Sequence, residues 1–312
     1  MIVRTPSRIH LTLIDLEGSL GRVDGGIGIA LEEPHILLEV EKTDELEIEG
    51  RLKNKALSAA RAFLSHYKIN GGARVAVKEA YPEHIGLGSG TQLSLAVARA
   101  LSEVYEIKAD IRELAYIVGR GGTSGIGTAA FEKGGFIVDG GHSTEDKPYF
   151  LPSRASRVKP APVILRRDFP DWQIALIFPK EETRISGKTE VNVFKKFCPL
   201  PVNQVERLSR IILMQLLPAL VEENIENFGR AINSIQEVGF KAVEVGLQKR
   251  EVIETLRAAQ KASFGAGLSS FGPVIYALVD DKKKLENALR DRVKGIIFTK
   301  ASNKGADFYE AY

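Results

Sequence analysis

The alternation of apolar and polar positions divides the chain into strands, helices and glycine-rich turns. Ile9 to Leu13 and Ile27 to Leu31 read as two strands around the polar turn Ser19 to Gly26, and His35 to Lys42 as a third. Asn54 to Tyr67 places Leu57, Ala60 and Leu64 on one helical face, and Ala73 to Ala80 alternates like a half-buried strand. Ile85 to Gln92 (IGLGSGTQ) then runs straight into a helix whose stripe is Leu93, Val97, Ala100, Leu101 and Val104. Asp110 and Glu113 have the spacing of a capping pair for the next helix, which carries Leu114, Ile117 and Val118. A second glycine-rich stretch, Gly119 to Gly127, leads to a strand over Gly134 to Asp139.

Residues 142–170 hold five prolines in a polar, basic setting, which predicts a linker or surface crossing. The division is accordingly placed there, with domains over 1–150 and 151–312. In the second half Trp172 to Phe178 reads as a buried strand. Helical periodicity follows near Gln204 to Leu217, Glu222 to Gln236 and Val243 to Ala262. Phe264 to Gly272 is a third glycine-rich loop, and a strand (Val274 to Val279), a helix (Lys282 to Asp291) and a strand (Gly295 to Thr299) close the chain. That order predicts an α+β fold with a ferredoxin-like layer in the second domain.

Composition narrows the function classes. The chain has 312 residues, 44% hydrophobic and 27% charged, enough for two packed domains. A net charge of +3 with acids and bases intermixed lacks the basic bias of a nucleic-acid binder, so no nucleic-acid partner is expected. Cys198 is the one cysteine, which rules out an internal disulfide and a multi-cysteine zinc site. The start MIVRTPSRIHLTL has no signal-peptide pattern, and no apolar run is long enough to span a membrane. A cytoplasmic protein without a membrane partner is the expectation.

The sharpest chemical feature is GLGSG ahead of an apolar helix. Glycines let the backbone turn tightly and approach a ligand, and the first-turn amides carry partial positive charge toward an anion. No GK[ST] follows, so it is not a Walker A loop, and it is not a GxGxxG dinucleotide turn. The bland alternative is an ordinary helix start.

The wider context favours a phosphate site. Pro82 to Thr91 (PEHIGLGSGT) resembles the second motif of the GHMP kinases, Thr5 to Leu13 (TPSRIHLTL) their first, and Phe264 to Gly272 (FGAGLSSFG) their third, in the right order. The resemblance implies a GHMP-kinase-like two-domain α+β fold, with a ribosomal-protein-like N-terminal domain, a ferredoxin-like C-terminal domain and the ligand between them. One departure stands out. Where many such kinases have S-G-x-D, this chain has Ser124, Gly125, Ile126 and Gly127, and glycine can neither take a proton nor orient a hydroxyl. In detail the motifs resemble the β-ribofuranosylaminobenzene 5′-phosphate synthases, over roughly residues 5 to 280. That likeness implies joining phosphoribosyl pyrophosphate to 4-aminobenzoate or 4-hydroxybenzoate, with loss of pyrophosphate and carbon dioxide, in methanopterin biosynthesis. It also implies Mg²⁺, no organic cofactor and a homodimer, without identifying the metal ligands.

The residues expected to bind phosphate and substrate are Gly86, Leu87, Gly88, Ser89, Gly90 and Thr91, with Arg120, Ser124 and Lys133 flanking the second glycine-rich stretch. Arg8, His10, Arg22 and Asp24 are the catalytic candidates, Arg22 and Asp24 for phosphate, magnesium or a ribose hydroxyl. Arg184 and Lys188 are weaker substrate candidates. Plainer alternatives stand beside them: a satisfied strand histidine at 10, a turn pair at 22 and 24, and a solvated surface pair for Lys133 with Glu132. Competing functions are an ATP-dependent kinase with another base, a nucleic-acid-binding module and a catalytically dead regulator.

Overall fold

The computed structural model describes residues 1–122, 124–152, 156–181 and 188–310. Two antiparallel strands, β1 (Ile2–Asp15) and β2 (Arg22–Thr43), form the spine of the first sheet. The two strands expected within residues 27–42 are one continuous strand. Its first half pairs with β5 (Phe136–Asp139), and its second half with β4 (Gly72–Glu79). β3 (Glu47–Gly50) lies parallel to β4, and β6 (His142–Ser143) pairs with the start of β2. β7 (Val163–Arg167) pairs with β5, and β12 (Asp307–Tyr309) returns to the outer edge of β1. The expected division at 150 therefore leaves two strands of the first sheet, β7 and β12, in the second half of the chain.

Helices α1 (Lys53–His66), α2 (Ser89–Val104), α3 (Ile111–Ile117) and α4 (Gly125–Lys133) complete the first half. Asp110 caps α3 by accepting the Glu113 amide hydrogen at 2.8 Å, as its spacing predicts. α4 was expected as loop. Its glycines disguise a helix whose Ile126, Ala129 and Ala130 are buried on Ala30 and Ile137. Small residues on one face of β2 make room for it: a Cβ on Gly28 would stand 2.3 Å from Ile126. From the other face Ile27 and Ile29 sit beside Val138 and Phe136, and Phe136 meets Phe169 and Phe228 from the second half.

The second sheet runs β11 (Val293–Thr299), β8 (Gln173–Pro179), β10 (Ile275–Val279), β9 (Gly265–Leu268), all antiparallel. Alternation along β8 splits it between two cores. Ile174 and Leu176 join the main core shared with the first half, whereas Ala175 and Ile177 pack with α10 (Arg250–Ala262) and α11 (Lys282–Leu289). α8 (Ile225–Ile235) lies against β9 so closely that a Cβ on Gly229 would stand 2.3 Å from the Phe264 carbonyl oxygen. The first half of the expected loop Phe264 to Gly272 is thus the strand β9, and its glycines admit that helix. α6 (Val202–Ile211) passes through a π-helical turn, Ile212–Leu216, into α7 (Leu217–Val221). α5 (Lys188–Phe197) and α9 (Gly239–Gly246) complete the helices of the described residues. Arg184 lies outside the described residues.

Candidate active site

The three sequence motifs meet at one buried hydroxyl. Ser269 Oγ donates to the Gly86 carbonyl at 2.7 Å and accepts the His10 amide hydrogen at 3.0 Å. The Ser270 amide donates to the His10 carbonyl (3.1 Å), and the Val274 amide to that of Ile85 (3.2 Å). Gly86 has φ +96° and its missing Cβ would fall 2.3 Å from the Ser269 carbonyl oxygen, so both backbone and contact require glycine. Gly88, at φ +81°, is the residue from which α2 departs, and no side chain caps that helix. Thr91 and Gln92 return their amides to the Gly88 carbonyl. The α2 start carries the positive end of the helix dipole to the wall of a cleft lined by Gly86, Gly88, Ser89, Gly90 and Thr91.

Arg8 reaches this cleft from β1. Its guanidinium donates to the Gly86 carbonyl at 2.6 Å and passes beneath Gly88, where a Cβ would stand 3.1 Å from it. Arg120 and Ser124 line the cleft as well, with an Arg120 nitrogen 3.0 Å from the Cβ position of Gly90. Burial, with Arg8 and Lys241 adding like charge, pushes the His10 pKa well below its usual 6.5, so His10 is neutral at pH 7. Its Nδ1 is buried without a hydrogen-bond partner among the described residues.

Other candidates lie elsewhere. Leu87 is fully buried in the core, and only its carbonyl serves the loop, accepting from the Arg8 amide and the Tyr81 hydroxyl. Arg22 does not line the cleft: its guanidinium donates to the Gly140 and Gly141 carbonyls, each at 2.7 Å. Asp24 is buried outside the cleft, 2.7 Å from Lys147 Nζ and 2.8 Å from His142 Nδ1. Both residues fasten the first hairpin to the 140–147 turn, where β6 pairs with the start of β2. Lys133 is half exposed at the end of α4, 3.8 Å from Glu132, and likewise does not line the cleft.

Gly127 stands in the first turn of α4, and its missing Cβ would lie 3.0 Å from the Thr91 methyl group. A side chain there would need Thr91 to give by a few tenths of an ångström. The buried acid Asp139 has its Oδ2 2.6 Å from the Cβ position of Gly125. It sits behind α4 and does not line the cleft. Burial pushes its pKa up to about 7, and Asp24 pushes the same way against the Gly141 amide, which donates to it at 3.0 Å.

Sequence reasoning missed part of the lining. Leu13, Phe194 and Phe271 belong to it, as do Glu83, Glu190 and Glu244, and His84, just ahead of the GLGSG loop, lines the cleft as well. Glu244 follows Lys241 by three residues on α9, and this polar pair within the apolar run GFKAVEVG was the available signal. Among the described residues no three His, Cys, Asp or Glu side chains group closely enough to hold a metal unaided. Mg²⁺ commonly needs only one or two carboxylates beside phosphate oxygens. Glu83, with Oε1 3.5 Å from the Cβ position of Gly90, fits an ion arriving on a diphosphate.

Comparison with known proteins agrees with this fold. The family description "GHMP kinases N terminal domain" matches residues 54–135, and "GHMP kinases C terminal" matches 216–294. A beta-ribofuranosylphenol 5'-phosphate synthase of Methanocaldococcus jannaschii is 48% identical, covering 98% of this chain and 99% of its own. That of Methanothermobacter thermautotrophicus is 47% identical, covering 98% of each. The mevalonate kinase of Methanococcus jannaschii shares the fold at TM-score 0.70 and 17% identity, covering 97% of this chain and 98% of its own.

Proposed function

The chain belongs to the beta-ribofuranosylphenol 5'-phosphate synthase family, built on the GHMP kinase fold, and on that premise we propose that it joins phosphoribosyl pyrophosphate to 4-hydroxybenzoate. Pyrophosphate and carbon dioxide leave, and a carbon–carbon bond links ribose to ring. The observation that carries this reading is the identity of 47–48% along essentially the whole chain. These relatives are named for a phenol, which favours the hydroxy acid over 4-aminobenzoate.

The site suits that chemistry. As the anomeric C–O bond breaks, negative charge grows on the diphosphate. The start of α2, Arg8 and Arg120 are positioned to stabilise it more strongly in the transition state than in the ground state. Mg²⁺, with Glu83 as its protein carboxylate, would neutralise further charge on the leaving group. The ring attacks through the carbon bearing its own carboxylate, so the reaction needs proximity and exclusion of water rather than a kinase-type base. Gly127 is compatible with this and unsuited to activating an alcohol for phosphoryl transfer.

The test is product analysis with purified protein. We expect pyrophosphate and carbon dioxide in equal amounts from phosphoribosyl pyrophosphate, only when the aromatic acid is present. Turnover of ATP to ADP with a small alcohol, and no pyrophosphate, would establish the kinase reading instead.

A further inference from the structure

The cleft lining is of two chemical kinds. One is the amides at the start of α2 with Arg8 and Arg120. The other is apolar: Leu13, Phe194 and Phe271 form a wall, with Phe240 behind it at ring-centroid distances of 4.8 Å from Phe194 and 5.8 Å from Phe271. Phe240 belongs to α9, and the same helix delivers the Glu244 carboxylate, 2% exposed, to the cleft. Burying a carboxylate beside an aromatic wall is costly unless it is held and used. Lys241 holds it. This lysine, wholly buried, donates to the Leu268 carbonyl at 3.0 Å and the Ser270 carbonyl at 3.4 Å and pairs with Glu244, which ties the carboxylate to the third glycine loop. Burial still raises the Glu244 pKa despite the neighbouring charges of Lys241 and Arg8, so the group accepts a proton more readily than an exposed glutamate.

We propose that Leu13, Phe194 and Phe271 bind the ring of the aromatic acid and that Glu244 is a catalytic residue taking the proton of its para hydroxyl. This rests on the function proposed above and deepens it by assigning the second substrate's subsite. The electron flow is closed. The ring carbon bearing the carboxylate bonds to the anomeric carbon, and the C–O electron pair leaves with pyrophosphate. The O–H pair enters the ring as the proton passes to Glu244, giving a dienone. The carbon–carboxylate bond then breaks, its pair restores aromaticity, carbon dioxide departs, and the phenolate oxygen recovers the proton from Glu244. An amino substituent pushes its own nitrogen lone pair into the ring and forms an iminium without first losing a proton, so it depends less on Glu244.

Acceptor discrimination is therefore the test. Wild type and Glu244→Gln are assayed with 4-hydroxybenzoate and with 4-aminobenzoate at saturating phosphoribosyl pyrophosphate. Glu244→Gln should lower kcat for the hydroxy acid about 100-fold or more, the scale of general-base catalysis. It should lower kcat for the amino acid less than about tenfold, with KM for phosphoribosyl pyrophosphate nearly unchanged. If Glu244→Gln does not fold, Glu244→Asp, which keeps a charge opposite Lys241 but withdraws it by one methylene, makes the same comparison. Phe271→Leu should raise KM for both aromatic acids and leave that for phosphoribosyl pyrophosphate alone. Equal losses on the two acceptors, or a rise confined to the phosphoribosyl pyrophosphate KM, would overturn the assignment while leaving the proposed function intact. Absence of turnover by wild type with either acceptor would overturn both.

Discussion

Asp139 shows how one side chain sets a property of the whole protein. Its carboxyl is pushed up to about 7 from 3.8, chiefly by burial, so between these values the folded protein holds a proton that the unfolded chain has released. Stability is therefore unpenalised below about pH 4 on this account and falls as pH rises through 7. The full cost is on the order of 4 kcal/mol for about three pK units. Asp24 and His142 act on Asp139 as it titrates, in opposite directions, and Lys147 pairs with Asp24 in the same buried cluster. Asp139→Asn, which can still accept the Gly141 amide hydrogen, should flatten the decline in denaturant midpoint between pH 5 and 8 seen in wild type. An unchanged slope would assign the decline to another group. At this scale the sequence was half readable. The glycines of GLGSG announce their purpose because few other demands explain them, and Arg8 and His10 were found through the first motif. Glu244, Phe194 and Phe271 were not, since a buried acid or phenylalanine is chemically the same whether it faces a core or a cleft. Arg22 and Asp24 look reactive on paper, but the 140–147 turn that engages them is more than a hundred residues distant.

Elements were legible where periodicity was strong and obscured where tertiary packing dictated the residues. α2 and α3 begin where their glycine and aspartate signals place them. α4 was concealed because its glycines serve neighbours, Gly125 yielding to Asp139 and Gly127 to Thr91. β2 was divided at Pro34, although a strand can bend there and keep its pairings with β1 on both sides. β9 was taken for loop because Gly265 and Gly267 are small for the sake of α8 and Tyr276. That contact yields a sharp expectation. Gly229→Ala would improve the intrinsic propensity of α8 yet force it from β9, so it should destabilise by about 1–3 kcal/mol as an overpacking change. Urea unfolding measures this, and a stabilised variant would mean the helix and strand separate freely.

For the whole molecule, the fold class was evident from element order and three dispersed motifs, but the relation between the halves was not. Main-core residues come from both: Phe136 and Val138 of the first sheet pack with Phe228, Leu176 and Tyr276. β7 and β12 cross back to the first sheet besides. With a core of this kind the halves should unfold together. Calorimetry is expected to show one transition whose calorimetric and van't Hoff enthalpies agree, and two resolved peaks would contradict it.

Ser269 carries a consequence for the birth of the enzyme. Its hydroxyl joins Gly86, 183 positions earlier, and the His10 amide, 259 positions earlier. Synthesis must reach residue 269 before that junction can close, and loops so long close slowly. A fragment that ends before Ser269 lacks the hydroxyl that ties the first two motif segments together, so it cannot hold the cleft in its finished shape.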